Sequence, residues 1–219
     1  MLTGKFIKEC KNRFLCLVEI NGNIEECYVS SSSRLENYID LTGCKVLLKE
    51  NVGKKLRTNY TLQAAFYKRA WVLLNLNHIN ELVYTEYLNT TGIDTSGIIR
   101  EHFIGKYKSD LYLPGKEQIV EAKGILSGDD IAKFPLVSCG RALNQMKEIG
   151  NLLDKGLKVD YTFVLMNPKI QAITLNSEQE QFIEVFTACI VKGLVPRYYT
   201  VRWRQGKSFL STAKNVYIK

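Results

Sequence analysis

Lys108-Ser109-Asp110-Leu111-Tyr112, a turn at Pro114-Gly115, and Ile119-Val120-Glu121-Ala122-Lys123 read as two short strands joined by a tight connection. Side chains at i and i+2 of a strand share a face, so Glu121 and Lys123 point one way while Ala122 points into the packing. If the two strands pair, Asp110 stands close to both. Two carboxylates suit Mg²⁺ (or Mn²⁺), a hard cation that takes oxygen ligands and keeps several waters. A nearby ammonium can position one of those waters or help deprotonate it. Together these are the minimum kit for metal-assisted phosphodiester cleavage. Asp-x(10)-Glu-x-Lys also arises by chance, and three solvated charges on a half-exposed sheet satisfy the same spacing.

The elements around this pair set its context. Ile79 to Leu88 reads as a helix with Asn77 or Asn80 as cap, and Ile98 to Phe103 as a strand. After the motif come a helix from about Val137 to Lys155, stopped by Gly156, and an almost continuously apolar strand from Val159 to Met166. Ser177-Glu178-Gln179-Glu180 has the pattern of a capping box opening a helix to Lys192, with Gly193 as its stop, and Arg197 to Arg204 is a final strand. Helix, three strands, helix, strand, helix, strand is an α/β order with crossovers, and it places Asp110 and Glu121 on neighbouring strands.

The N-terminal part has a different rhythm. Phe14, Cys16, Val18 and Ile20 share one face, Asn21-Gly22 supplies a hairpin turn, and Glu25 to Val29 returns. Further strands are expected at Lys45 to Lys49 and Thr61 to Lys68. Short strands with such turns over some 70 residues fit an OB-type barrel. The expected division is therefore residues 1–70, a small barrel, and residues 71–219, a mixed α/β domain. The first carries 12 basic and 7 acidic residues and the second 18 and 15, so positive charge concentrates on the smaller piece.

Composition excludes several classes. With 219 residues, 46% apolar and 24% charged, the chain is globular rather than disordered. No run approaches the roughly 18 apolar residues of a membrane span, and the opening MLTGKFIKECKNRF lacks the apolar core of a signal peptide, which points to the cytoplasm. The six cysteines form no C-x-x-C pair, so buried free thiols are expected rather than a zinc site. A net charge of +8 and a pI near 9.1 favour an acidic polymer, DNA or RNA, as partner; no protein partner is implied.

From Arg197 onward the chain holds Arg197, Arg202, Arg204, Lys207, Lys214 and Lys219 and no acid, interleaved with Tyr198, Tyr199, Trp203, Phe209 and Tyr217. Cations beside rings suit backbone and single-strand recognition; a terminal hairpin whose aromatics pack and whose basic groups face water fits equally. Ser30-Ser31-Ser32-Ser33-Arg34 is either a phosphate-holding loop or a solvated one.

The stretch VEAKGILSGDDIAKFPLVSCGRALNQMKEI (Val120 to Ile149) resembles the E-V-K-S-x-T-L, A-x-F-P-D-A and R-G-x-x-H-L-x-E-L segments of the sugar fermentation stimulation protein family. Asn12-Arg13-Phe14 resembles that family's P-N-R-F opening, Tyr60-Thr61-Leu62 and Trp71 to Asn75 its Y-T-W and W-V-G-V-N-T passages, and Lys108 to Leu111 its S-R-I-D-F strand. The resemblance implies an OB-like barrel joined to a PD-(D/E)xK, restriction-endonuclease-like domain, in a nucleic-acid binder or nuclease. It implies Asp110, Glu121 and the backbone of Ala122 as metal ligands and Lys123 as the motif lysine. Nucleic-acid contacts are expected from Arg13, Arg34, Arg141, Arg202 and Arg204. Leu136-Val137 stands where the family has Asp-Ala, Gln145 where it has His, and Tyr84-Thr85 where it has paired Glu, with Glu81 and Glu86 the acids within a turn. A non-catalytic binder with a degenerate metal site is the alternative these departures support.

Overall fold

Alternating apolar and polar side chains build the first sheet of the computed structural model, in which residues 1–53, 56–136, 140–213, 216 and 218 are described. Its strands are β1 (Leu2–Glu9), β2 (Leu15–Ile20), β3 (Asn23–Tyr28), β4 (Lys45–Glu50), β5 (Tyr60–Tyr67) and β6 (Ala70–Leu73). They lie in the order β3-β2-β1-β4-β5-β6, and a further β3–β5 pairing closes the barrel around Phe6, Val18, Val46, Leu48 and Leu62. Asn21 (φ 51°) and Gly22 (φ 83°) both take the left-handed backbone that a two-residue hairpin turn needs. Sequence alone missed β1, where Gly4 breaks the apolar alternation. That glycine is what lets β1 approach β2, since a Cβ there would stand 2.8 Å from the Glu19 carbonyl oxygen. Trp71, expected to open the second unit, lies in β6 opposite Phe66.

The rest of the chain forms α1 (Asn77–Thr91), β7 (Ile99–Ile104), β8 (Tyr107–Leu113), β9 (Gln118–Ile125), β10 (Ile131–Phe134), α2 (Gly140–Asp154), β11 (Lys158–Leu165), β12 (Ala172–Leu175), α3 (Glu180–Val191), β13 (Val195–Arg204) and β14 (Lys207–Thr212). The second sheet runs β14-β13-β11-β9-β8-β7, parallel through β13, β11 and β9 and antiparallel at both ends, with β10 and β12 as a separate parallel pair. One sheet face packs on α1 through Leu82, Leu111, Val120 and Val164. The other packs on α2 and α3 through Ile149, Phe163, Phe182 and Phe186. A small barrel followed by a mixed-sheet domain is the architecture expected.

Local details depart from expectation. Neither Asn77 nor Asn80 caps α1, which Leu76 precedes without a side-chain cap; the Asn77 N–H donates to Asn75 Oδ1 (3.1 Å) and Ser30 Oγ (3.3 Å), leaving the Asn80 amide free for another partner. The capping box at Ser177 does not form: Gln179 precedes α3 without a side-chain cap, and the Glu178 N–H goes to Asn176 Oδ1 (3.3 Å). Val137, the expected start of α2, and Cys139 lie outside the described residues.

Backbone bonds tie barrel to sheet. Leu73 N–H donates to the Met166 carbonyl (2.9 Å), Gly128 N–H to Tyr38 (2.8 Å), and Leu76 N–H to Ser30 (3.2 Å). Among the described residues no helix is long and apolar enough to cross a membrane.

Candidate functional site

Strands β8 and β9 pair over only Leu111–Val120, Tyr112–Ile119 and Leu113–Gln118. Beyond the last rung come Asp110 and Glu121, so the strands part where the motif carboxylates stand. The Ala122 N–H is taken instead by Asp110 Oδ2 (2.8 Å). In an extended strand N–H and C=O of one residue face the same neighbour, so the Ala122 carbonyl looks into this gap too. The β7–β8 ladder also skips Asp110, whose opposite residue Glu101 has a left-handed backbone (φ 52°). Strand β9 itself stays rigid, because Glu121 and Lys123 pair with Tyr161 and Phe163 of the buried β11.

Glu121 is only 3% exposed, and a carboxylate at that depth needs several donors. Lys123 Nζ donates to Oε1 at 2.6 Å, Gln145 Nε2 donates to the same oxygen, and the Tyr107 hydroxyl donates to Oε2. Lys123 Nζ also donates to Gln145 Oε1 (2.7 Å), closing a ring. Asp110 Oδ1 accepts from Asn80 Nδ2 (2.9 Å). Burial, and then the Glu121 charge, push the Asp110 carboxyl up to about 6, while the Ala122 N–H, Lys123 and Asn80 pull it back down. Burial and the same Glu121 charge push the Tyr107 hydroxyl up, so it remains a donor. Two neighbouring carboxyl groups, with a carbonyl facing the same gap, form an oxygen-donor set suited to a hard divalent cation. Among the described residues no group of three or more His, Cys, Asp and Glu converges.

The gap opens into a cleft of about 930 Å³ whose walls come from both parts of the chain. Arg13 and Ser31 to Ser33 line it from the barrel; Asp110, Glu121 and Lys123 line it from the second sheet. Lys108, Lys133 and Arg141 add positive charge. Of the expected nucleic-acid contacts, Arg13 and Arg141 therefore share the cleft with the carboxylates.

The others lie elsewhere. Arg34 pairs with Glu36 (2.5 Å), and Arg202 and Arg204 are exposed on β13 away from the cleft lining. The C-terminal aromatics are largely packed: Tyr198 stacks on Phe163 (5.6 Å between centroids), and Tyr199 and Trp203 cover the core on the α1 face, while Phe209 is 44% exposed. Lys214, Tyr217 and Lys219 lie outside the described residues. Glu81 is bound to Arg100 (2.7 Å), and neither it nor Glu86 lines the cleft. From α1 Ile79 and Asn80 line the cleft, and Asn80 bonds Asp110.

Tyr107, Gln145 and Asn80 are thus contacts of the site that sequence reasoning did not assign. Gln145 had a signal, since it stands four residues after Arg141 on one helix face. Tyr107 had none: it precedes the stretch from Lys108 to Tyr112 in which the strand is expected.

Comparison with known proteins gives the family and the fold. The family model "SfsA N-terminal OB domain" matches residues 9–74, and "Sugar fermentation stimulation protein RE domain" matches residues 76–207. A sugar fermentation stimulation protein homolog of Caldanaerobacter subterraneus subsp. tengcongensis is 26% identical over 100% of this chain and 96% of its own length. One of Natranaerobius thermophilus is 25% identical over 88% and 82%. The structure of Pyrococcus furiosus SfsA in complex with Ca²⁺ shares the fold with a TM-score of 0.81, at 17% identity, over 100% of this chain and 95% of that one. With both of its parts matched in order, this chain belongs to the sugar fermentation stimulation protein family.

Proposed function

We propose that this chain binds nucleic acid and hydrolyses phosphodiester bonds with a divalent cation, Mg²⁺ or Mn²⁺, held by Asp110, Glu121 and the backbone carbonyl of Ala122. The observation that carries this reading is the parting of β8 and β9 at those acids, open to a cleft lined by Arg13, Lys108, Lys133 and Arg141. The relative solved with Ca²⁺ supports a divalent cation as the occupant. When bound, the ion polarises the scissile phosphate and neutralises charge on the leaving oxygen.

The protein's own groups do the rest. Lys123, steadied by Glu121 and Gln145, orients the attacking water. Tyr107 and Gln145 hold the Glu121 carboxylate in one orientation, and Asn80 does the same for Asp110. Arg141 can grip a neighbouring phosphate with two parallel hydrogen bonds. The barrel, taken as residues 1–70 with β6 completing its sheet, contributes Arg13 and the serine loop to the opposite wall. Arg34, Arg202 and Arg204 extend the positive track outside the cleft. DNA or RNA in the cytoplasm is the substrate this reading implies.

A second reading, a regulatory binder without catalysis, has its own support. Both Glu121 oxygens already accept hydrogen bonds, and Leu136 and Tyr84-Thr85 stand where the family has acids. Labelled single-stranded DNA, duplex DNA and RNA incubated with Mg²⁺ or Mn²⁺ separate the two. Cleavage by the wild type, lost in Glu121→Ala and Lys123→Ala while binding in EDTA persists, is expected. Equal cleavage by all three proteins dismisses the site, and binding without any cleavage by the wild type selects the regulatory reading.

A further inference from the structure

Outside the carboxylate centre, the barrel carries three planar groups in mutual contact, Arg13, Phe14 and Tyr28, of which Arg13 lines the same cleft. The β1–β2 turn is fixed by its own hydrogen bonds: Phe14 N–H to Asn12 Oδ1 (3.1 Å), Leu15 N–H to the Asn12 carbonyl (3.0 Å), and Val29 N–H to the Phe14 carbonyl (2.8 Å). That rigid turn holds the Phe14 ring outward, 38% exposed. The Arg13 guanidinium lies 4.6 Å from the ring centroid and donates to the Ser32 carbonyl, and Arg13 itself lines the cleft. The Tyr28 ring lies nearly parallel to Phe14, at 14° and 6.4 Å between centroids. A single exposed apolar ring needs no explanation. A ring held by a fixed turn, flanked by a guanidinium and a second ring, and adjoining a cleft lined by cations is a different matter.

We propose that Phe14, with Arg13 and Tyr28, is a stacking platform for an unpaired nucleobase, and that the strand whose phosphates enter the cleft is therefore single-stranded there. This rests on the nucleic-acid reading above and deepens it to a substrate class. Every base offers a π-face to an aromatic ring, and an arginine plane adds a cation–π contribution. A paired base keeps both faces inside the duplex stack, so the platform has nothing to grip on double-stranded substrate. Arg13 joins the two functions. Its guanidinium lies over the Phe14 ring, and its charge lines the cleft across from Lys133 and Arg141. The occupant is accordingly an anionic chain bearing flat rings, which charge and shape on this face both favour.

The test reads binding, in EDTA so that no strand is cut, by fluorescence anisotropy on the full chain. The probes are a short labelled oligodeoxythymidylate and an abasic oligomer of the same length and charge. Wild type is expected to favour the base-bearing strand roughly tenfold. Phe14→Leu, which keeps an apolar side chain, and Phe14→Ala bring that ratio to about one, whereas Phe14→Trp keeps it. An unchanged ratio in Phe14→Leu and Phe14→Ala overturns the platform, as does a wild type that binds both probes alike or neither. Cleavage with Mn²⁺, measured separately, reports on the catalytic reading. A chain that cuts but ignores Phe14 refutes stacking alone, and a chain that stacks but never cuts refutes catalysis alone.

Discussion

Two buried carboxylates occupy opposite faces of the second sheet and are furnished almost identically. Glu121 on β9 is 3% exposed, and Asp160 on β11, in register beside Val120, is 4% exposed. Each accepts a tyrosine hydroxyl, from Tyr107 and from Tyr87 (2.6 Å) respectively, and each pairs with a base, Lys123 at 2.6 Å and Arg197 at 3.3 Å. The difference lies in the company. Around Asp160 one negative charge meets one positive charge beneath α1. Around Glu121 a second acid, Asp110, shares the single ammonium, and the group opens into the cleft. Balanced charge makes a structural clamp, while surplus negative charge with an open side makes a cation site.

The largest expected effect exchanges the two amides. Glu121→Gln should lower metal-dependent cleavage by roughly a hundredfold or more and, because it also removes the charge that opposes Asp110, should cost less thermal stability than the same exchange at Asp160. Asp160→Asn should leave cleavage per folded molecule intact but cost about 1–3 kcal/mol, because the charged acceptor shared by the buried Tyr87 hydroxyl and Arg197 becomes a neutral amide oxygen. In a chain of this length that lowers the melting midpoint by roughly 3–10 °C. Melting curves and a cleavage assay on both variants suffice. Inactive yet stable Asp160→Asn would place function on both faces and dissolve the contrast.

The two faces were unequally legible in the sequence. Glu121 and Lys123 show through the period of two, and the apolar run from Val159 to Met166 shows that a central strand lies beside them. Asp160 sits inside that run as an ordinary polar interruption, and its partners are 73 and 37 residues away. No local pattern encodes such distances. The same limit hid Tyr107, 14 residues from Glu121. The parting of β8 from β9 was invisible for another reason: it is the absence of a rung, and the period-two alternation of β8 continues through Asp110. At α3 the local signal was present but lost to tertiary context, since Asn176, held by the Pro135 carbonyl (3.1 Å), takes the Glu178 N–H ahead of the helix.

Proton linkage sharpens the comparison with a smaller effect. Burial and the Glu121 charge lift the folded Asp110 to about 6, above the ~3.9 of an unfolded chain. The folded state thus holds this proton more tightly, and the stability it contributes is present below about pH 4 and lost as pH rises through about 6. Calorimetry of the metal-free chain should show its midpoint falling across that window, with the slope reduced in Asp110→Asn. Cation binding runs the other way, because the ligand is the ionised form. Mn²⁺ affinity by titration calorimetry should weaken as pH drops below about 6.

The smallest effect tests whether the cation partners differ as much as the acids. The Arg197 side chain is 51% exposed and its ion pair is long at 3.3 Å, so water screens the charge and the side chain gives up rotamer freedom to hold the contact. Arg197→Ala should cost at most about 1 kcal/mol, a shift of a few degrees by melting, because the Tyr87 hydroxyl still satisfies Asp160. The Lys123 side chain is 22% exposed and bridges Glu121 to Gln145, so its removal leaves two acids with no counter-charge in a buried gap. Lys123→Ala should therefore destabilise the metal-free chain more than Arg197→Ala does, and added Mn²⁺ should restore that loss. Equal losses, indifferent to the ion, would mean that the two carboxylates are both merely clamped, and that the cleft-side acids hold no cation.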